Sequence, residues 1–368
     1  MTPVWKRWLP AAVVPAVIAG GAVLGAVQAG AATDLPDKTP QEVLEMVADS
    51  SVRSLSGTVE QTSELGLPQL PTDGPSAESD ASSGVPSGVA SALELLGGSH
   101  TARVYLDGHS QARVQVMDRL AERDVIRNGR DVWFYSSKQN AATHLILPEY
   151  SESEGHHSDK AWTPESLSEH FLSSVEPSTE VTVGSDSEVA GRAAYELVLT
   201  PDSSETLVGS VSIAVDSETG LPLSVDVQAR GQDAPAFEVG FTELSLEAPS
   251  DDLFNFTPPP GATVTERVVE DHHAKHAQGD HGDRHQGDGK HDKDYTKYGS
   301  GWETVIGLPA DEVPAELMDS PLIAETAQEV DGGRLLSSAL VNVLVTDDGR
   351  AFAGSVPLER LQAAAEGR

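Results

Sequence analysis

The feature that most restricts what this chain can fold into is a two-residue alternation of apolar and polar side chains that returns repeatedly between Leu55 and Phe241. Leu55, Gly57 and Val59 alternate with Ser56, Thr58 and Glu60, the period of a strand with one face buried and the other in water. Ala102, Val104 and Leu106 repeat it, Val114 and Val116 follow, and Val125 and Ile126 lead into Asn128-Gly129, a strong two-residue hairpin signal. Val132-Trp133-Phe134-Tyr135 reads as the returning strand, and after a turn at residues 138–140 the meander continues through His144-Leu145-Ile146-Leu147. Trp133 and Tyr135 fall on one face of their strand and Phe134 on the other, so one set or the other lines an inner surface, not both. Five more alternating runs follow: Val181 and Val183; Tyr195, Leu197 and Leu199; Val211, Ile213 and Val215; Leu223, Val225 and Val227; Phe237, Val239 and Phe241. Residues 216–220 supply turn chemistry between two of them. Short strands joined by turns predict an antiparallel sheet.

Helical signals punctuate this pattern. Thr39-Pro40-Gln41-Glu42 reads as a capping box with proline at the first helical position, ahead of Val43, Leu44 and Val47 on one side. A second helix is expected from Thr163-Pro164-Glu165, with Leu167, Phe171 and Leu172 on one face. Residues 66–99 are rich in Pro, Gly, Ser and Asp but carry an apolar knot at Val89, Ala90, Ala92, Leu93, Leu95 and Leu96. The knot reads either as a cover over an apolar hollow or as a helical turn packed on the sheet. Phe254-Asn255-Phe256-Thr257-Pro258-Pro259-Pro260 closes the body, its prolines expected to end all sheet pairing. The body thus spans residues 38–266. Residues 267–294 form a linker, predicted to be disordered, whose polar sequence holds His272, His273, His276, His281, His285 and His291 and almost nothing apolar. Residues 295–368 read as a small α+β carboxy-terminal domain: Trp302, Val305 and Ile306, a helical stretch around residues 322–327, apolar residues 335–345, a turn at 347–350, a strand ending near Val356 and a helix from Pro357. At that size it is marginal as an independent fold.

Composition removes several functions. Acidic residues number 58 against 24 basic ones, a formal charge of -34, which repels phosphate backbones and excludes nucleic acid as a partner. With Cys 0 there is no thiol chemistry, no disulfide and no cysteine for lipid attachment. Lys6 and Arg7 precede an uncharged stretch from Trp8 to Ala32, and Ala29-Gly30-Ala31 offers the small residues of a signal-peptidase site. Residues 1–32 therefore predict export to the outer side of the cytoplasmic membrane. The product is either secreted or held by an uncleaved amino-terminal anchor, since the stretch is long enough to span a bilayer. No Gly-x-Ser-x-Gly, His-Glu-x-x-His, phosphate loop or Gly-x-Gly-x-x-Gly occurs, so no catalytic residue is assigned and the chain is not expected to be an enzyme. Carboxylates such as Glu122 and Asp124 are read as a solvated face. The histidines could hold Zn, Ni or Cu, with His272, His273 and His276 between Asp271 and Asp280 as the tightest group. Their bland reading is a solvated spacer; no other cofactor is expected.

The phrases VIRNGRDVWFYSSKQNAATHLILP (125–148), IAVDSETGLPLSVDVQ (213–228) and FNFTPPPGATV (254–264), in an order of helix, strand, meander, helix and strands, resemble LolA-like lipoprotein carriers and the related amino-terminal domain of RseB/MucB sigma-factor regulators. GSGWETV (299–305) and LVNVLVTDDGRAFAGSV (340–356) resemble the tail of the Gram-positive versions. The resemblance implies an α+β fold in which a curved antiparallel sheet, an incomplete β-barrel, wraps around helices and leaves an apolar cavity. The expected partner is then a lipid or lipoprotein acyl chain. Cavity or lid candidates are Leu93, Leu95, Leu96, Val104, Val114, Val116, Trp133, Tyr135, Leu145, Leu197, Ile213 and Val225. Two other functions stay open: a RseB/MucB-like envelope-stress regulator that binds a membrane anti-sigma protein, and a surface protein that binds metal through the histidine linker.

Overall fold

The structure, a computed structural model, describes residues 35–66, 98–117, 121–147, 178–268, 295–311, 313 and 327–367. Helix α1 (Pro40–Ala48) precedes β1 (Ser54–Ser63), β2 (Gly98–Asp107), β3 (Gln111–Met117), β4 (Glu122–Asn128), β5 (Asp131–Ser136) and β6 (Ala141–Ile146). The chain continues through β7 (Thr179–Val183), β8 (Ser187–Val189), β9 (Arg192–Pro201), β10 (Val208–Asp216), β11 (Pro222–Ala229), β12 (Pro235–Ser245) and β13 (Thr263–Val268). These thirteen strands form one curved, open sheet in the order β13-β6-β5-β4-β3-β2-β1-β12-β11-β10-β9-β7, with β8 paired to β9. The expected helix from Thr163 and the apolar knot at 89–96 lie outside the described residues.

Local chemistry explains α1 and its place. The Glu42 N–H donates to Thr39 Oγ1 at 3.3 Å and the Thr39 N–H donates to Glu42 Oε2 at 2.8 Å, so the expected capping box forms and satisfies two otherwise orphan donors. Val43 and Leu44 are buried against Tyr195, Leu197 and Val215 of β9 and β10. The Tyr195 hydroxyl donates to the Pro36 carbonyl at 3.1 Å, which ties the approach to the helix onto the same strands. At the other end of α1, Gly220 has φ +71°, and a Cβ there would stand 1.9 Å from the Met46 carbonyl oxygen. Glycine is thus required twice over in the turn at 216–220: for its backbone angle and for the approach of the helix.

Two expectations about turns and ends are corrected. In the β4–β5 hairpin Asn128 pairs with Asp131 as the last rung, so the loop is Gly129-Arg130, one residue later than the Asn-Gly reading. Only Gly129 of the two takes a positive φ, +61°, the arrangement of a turn with glycine at its first central position. The prolines at 258–260 do not end the sheet either. Lacking N–H groups, they stay out of the ladder, but the chain has by then crossed to the far edge, where β13 pairs in parallel with β6 from Thr263↔Ala141 to Val268↔Ile146. β13 therefore includes two residues assigned from sequence to the linker.

A second sheet contains β14 (Thr296–Tyr298), β15 (Val305–Leu308), β16 (Gln328–Val330), β17 (Gly333–Ser337), β18 (Asn342–Thr346) and β19 (Ala351–Gly354), in the order β14-β15-β19-β18-β17-β16. Helix α2 (Leu358–Ala365) closes the chain, and Leu361 and Ala364 join Val305, Leu335, Leu344, Phe352 and Val356 in a core of its own. The apolar run at 335–345 is two strands, β17 and β18, folded at Ser338, whose hydroxyl donates to the Val341 carbonyl at 2.8 Å. The expected helical stretch at 322–327 lies outside the described residues except for Ala327. This sheet does not stand alone: Leu340 shares a buried cluster with Leu65, Val208, Ala229 and Ala236 of the large sheet and its loops.

The close approach at Gly220 yields a stability test. Replacing Gly220 by Ala is expected to cost about 2–4 kcal/mol, because backbone strain adds to displacement of the end of α1. Urea unfolding measures it, and a loss below about 1 kcal/mol would mean that α1 does not dock against this turn.

Candidate functional site

Residues directly opposite one another on neighbouring strands lie on the same face of a sheet, so the register assembles the candidate site. Leu197 stands opposite Ile213, Ile213 opposite Val225, and Val225 opposite Val239. The adjacent row is Leu199, Val211, Val227 and Phe237. Across the β12–β1 ladder Phe241 faces Val59, and the block continues from Val59 to Ala102 and Val116, and from Val104 to Val114, Val125 and Phe134. Val132 and Leu145 pair on this same side. Seven of the residues singled out from sequence are thereby brought onto one face: Val104, Val114, Val116, Leu145, Leu197, Ile213 and Val225. Val104, Leu145 and Leu197 are buried, whereas Val114, Val116, Ile213 and Val225 are half-buried and Val125 is 41% exposed. Phe134, Val227 and Phe237 belong to the same block. Alternation alone identified them as strand residues, and only knowing which residue each one faces assigns them to the site.

Trp133 and Tyr135 are placed on the opposite face. Trp133 stacks on His144 with ring centroids 4.1 Å apart, and both Trp133 and Tyr135 meet Phe256, at 5.4 and 5.5 Å. The segment after β12 lies across this side: Phe254 is buried, Arg113 donates to the Leu253 carbonyl at 3.3 Å, and Asn128 donates to Asn255 at 3.1 Å. Asp124, read from sequence as solvated, is instead 2% exposed and held by Arg113 through bonds of 3.2 and 3.0 Å. Burial pushes its carboxyl up to about 6 even beside that guanidinium.

The same face carries a row of acids over β9–β12. Asp226 stands opposite Glu238 and opposite Ser212, and its Oδ1 is buried without a hydrogen-bond partner. Burial, then the charges of Glu238 and Glu196, push the Asp226 carboxyl up to about 7. One face of the sheet is therefore mainly aliphatic, and the other is mixed: acids over β9–β12, and Ile126, Trp133 and Tyr135 beneath the Phe254–Phe256 segment over β4 and β5. An open recess beside the end of α1, lined by Met46, Val52, Arg53, Thr219 and Leu246 among others, includes none of the strand candidates. Leu93, Leu95, Leu96, His272, His273, His276, His281, His285 and His291 lie outside the described residues. Among the described residues no three His, Asp or Glu side chains are grouped to share a metal ion, and no helix is long and apolar enough to cross a membrane.

No protein-family model matches the chain, and no curated protein does. In structure the chain is similar to MucB and to LolA-superfamily proteins. A solved MucA/MucB complex from Pseudomonas aeruginosa matches with 16% identity and a TM-score of 0.43, over 89% of this chain and 96% of that one. An uncharacterised conserved protein from Thermus thermophilus matches with 13% identity and a TM-score of 0.34, over 62% and 98%. A LolA-superfamily protein from Nitrosomonas europaea matches with 12% identity and a TM-score of 0.22, over 60% and 99%.

The Asp226 environment gives a pH-dependent expectation. Because its folded value lies above that of an unfolded aspartate, the native state binds this proton more tightly, and the contribution to stability falls as pH rises from about 4 to about 7. Asp226→Asn removes the penalty, so the variant is expected to exceed wild type by about 1–3 kcal/mol at pH 8 after allowance for partial solvent screening. Near pH 4 the two should be similar. Paired urea titrations at the two pH values test this, and an equal difference at both would overturn it.

Proposed function

We propose that the protein works outside the cytoplasmic membrane and holds a lipid or lipoprotein acyl chain against the aliphatic face of its curved sheet. The observation that carries this reading is the unbroken block from Leu197 to Val239 and on through Val59 to Phe134, in which Ile213, Val225, Val114 and Val116 remain half-buried. The block itself is aliphatic and aromatic, with Gln61, Ser63 and Thr143 at neighbouring positions of the same face, so what it holds well is hydrocarbon. Removing a sixteen-carbon chain from a membrane costs on the order of 12 kcal/mol at about 0.8 kcal/mol per methylene, and a long, dry aliphatic surface is what can match that. The polar face and the net charge of -34 keep the loaded protein soluble. Export, which the charged and apolar leader implies, puts the molecule where acylated clients are found.

Native mass spectrometry of protein purified from membranes without detergent tests the reading. Wild type is expected to retain lipid. Val125→Asp and Val225→Asp, which each put a charge on the aliphatic face, are expected to reduce retention more than twofold. The same substitution at Ser245, exposed at the end of β12, should leave it unchanged. Repeated isolation of empty wild-type protein would count against the proposal.

A further inference from the structure

The second sheet has no assigned task, and the way it meets the large sheet points to one. The row Leu199, Val211, Val227 and Phe237 lies next to the Val208–Ala229 pair, the last rung between β10 and β11 before their loops. Val211, Val227 and Phe237 run directly into the cluster of Leu65, Val208, Ala229 and Ala236, and the same cluster takes Leu340, Ala339 and Trp302 from the second sheet. The apolar face therefore does not open to water at this end; it runs into side chains of the carboxy-terminal unit.

Those side chains are held in place. The Trp302 indole N–H donates to Thr179 Oγ1 of β7 at 2.8 Å, which fixes the ring at its one polar atom and leaves its apolar body against the cluster. The Ala339 N–H donates to the Leu65 carbonyl at 2.8 Å and the Leu207 N–H to the Ser355 carbonyl at 2.8 Å, so the backbones of the two units are joined at two places. Arg360 of α2 pairs with Glu303 at 2.6 Å and with Glu205 at 3.4 Å. The contact is thus a built seam of main-chain bonds, ion pairs and shared core.

We propose that the second sheet is the end wall of the acyl-binding face, and that Trp302, Ala339 and Leu340 set the length of chain that the protein accepts. This rests on the acyl-holding function proposed above. A chain lying along the row of Leu199, Val211, Val227 and Phe237 stops where Trp302 and Leu340 fill the space. Since each buried methylene strengthens binding by about fourfold, a wall that halts the chain turns length into selectivity.

Calorimetric titration of the full-length protein with saturated fatty acids of increasing length tests the wall. Wild type is expected to show an affinity maximum at one length. Trp302→Ala and Leu340→Ala should shift it to longer acids and strengthen binding of the longest by about tenfold, the worth of roughly two further buried methylenes. Ala339→Leu should shift it to shorter acids. Trp302→Phe, which keeps most of the ring and loses the hydrogen bond, should leave it in place. Should Trp302→Ala fail to fold, Leu340→Ala and Ala339→Leu still demand shifts of opposite sign. If folded variants keep the wild-type maximum, or weaken all acids equally, the end wall is refuted while acyl holding stands. Wild-type protein that binds none of the acids refutes both.

Discussion

A slip of one residue in β10–β12 would carry Ile213, Val225 and Val239 to the side held by Ser212, Asp226 and Glu238, and would put those acids among the aliphatic rows. Burying two or three unpaired carboxylates costs more than a small protein's whole stability, so cross-strand register is the constraint on which both faces of this molecule depend. Four one-residue shifts accommodate it: between Thr58 and Val59 in the pairing of β1 with β12, between Val208 and Ser210 and between Ala214 and Val215 in that of β10 with β11, and between Val227 and Gln228 in that of β11 with β12. Gly57 sits at the first of these because a Cβ there would stand 2.6 Å from the Glu243 carbonyl oxygen and 2.7 Å from the Phe241 ring. Bulges of this kind bend and twist the strands that carry them, which suits a sheet that curves without closing.

Electrostatics follow from the same division. A chain with charge -34 must spread its acids through water or pair them, and the few that it buries are each handled differently. Asp216 is 1% exposed. Burial alone would raise its carboxyl, yet Arg192, with two bonds of 2.8 Å, and Thr219 hold it below the ordinary range, and the pair fixes the turn that receives α1. Asp124 has Arg113 beside it, which also binds the Leu253 carbonyl, and burial prevails there. Among the described residues no cation pairs with Asp226 and none donates a hydrogen bond to its Oδ1, and it holds its proton furthest toward neutrality.

The carboxy-terminal unit changes meaning once its seam is seen. Read by itself, a segment of that size is marginal. In the structure Leu340, Ala339 and Trp302 complete a cluster to which the large sheet contributes Leu65, Val208, Ala229 and Ala236. Each unit therefore covers apolar surface that the other would otherwise leave in water.

The sequence by itself determined most strands of the large sheet, the capped helix and, outside β5, the apolar side of those strands, because alternation and capping are local properties that survive without knowledge of neighbours. Seven of the candidate residues fell on one face for that reason. Tertiary structure alone decided the rest. Trp133 and Tyr135 alternate as cleanly as Val132 and Phe134, and nothing within five residues reveals that a strap from residues 250–260 covers the one pair while the other faces the aliphatic block. Asp124 looked like a surface acid because its partner Arg113 comes from another strand and the Leu253 carbonyl that Arg113 also binds comes from a distant segment. β13 was invisible because its pairing is with β6, far away in the chain and parallel, and the prolines that precede it describe only their own inability to donate. Which residues meet across strands, and what lies over them, depends on long-range register, and no local pattern encodes it.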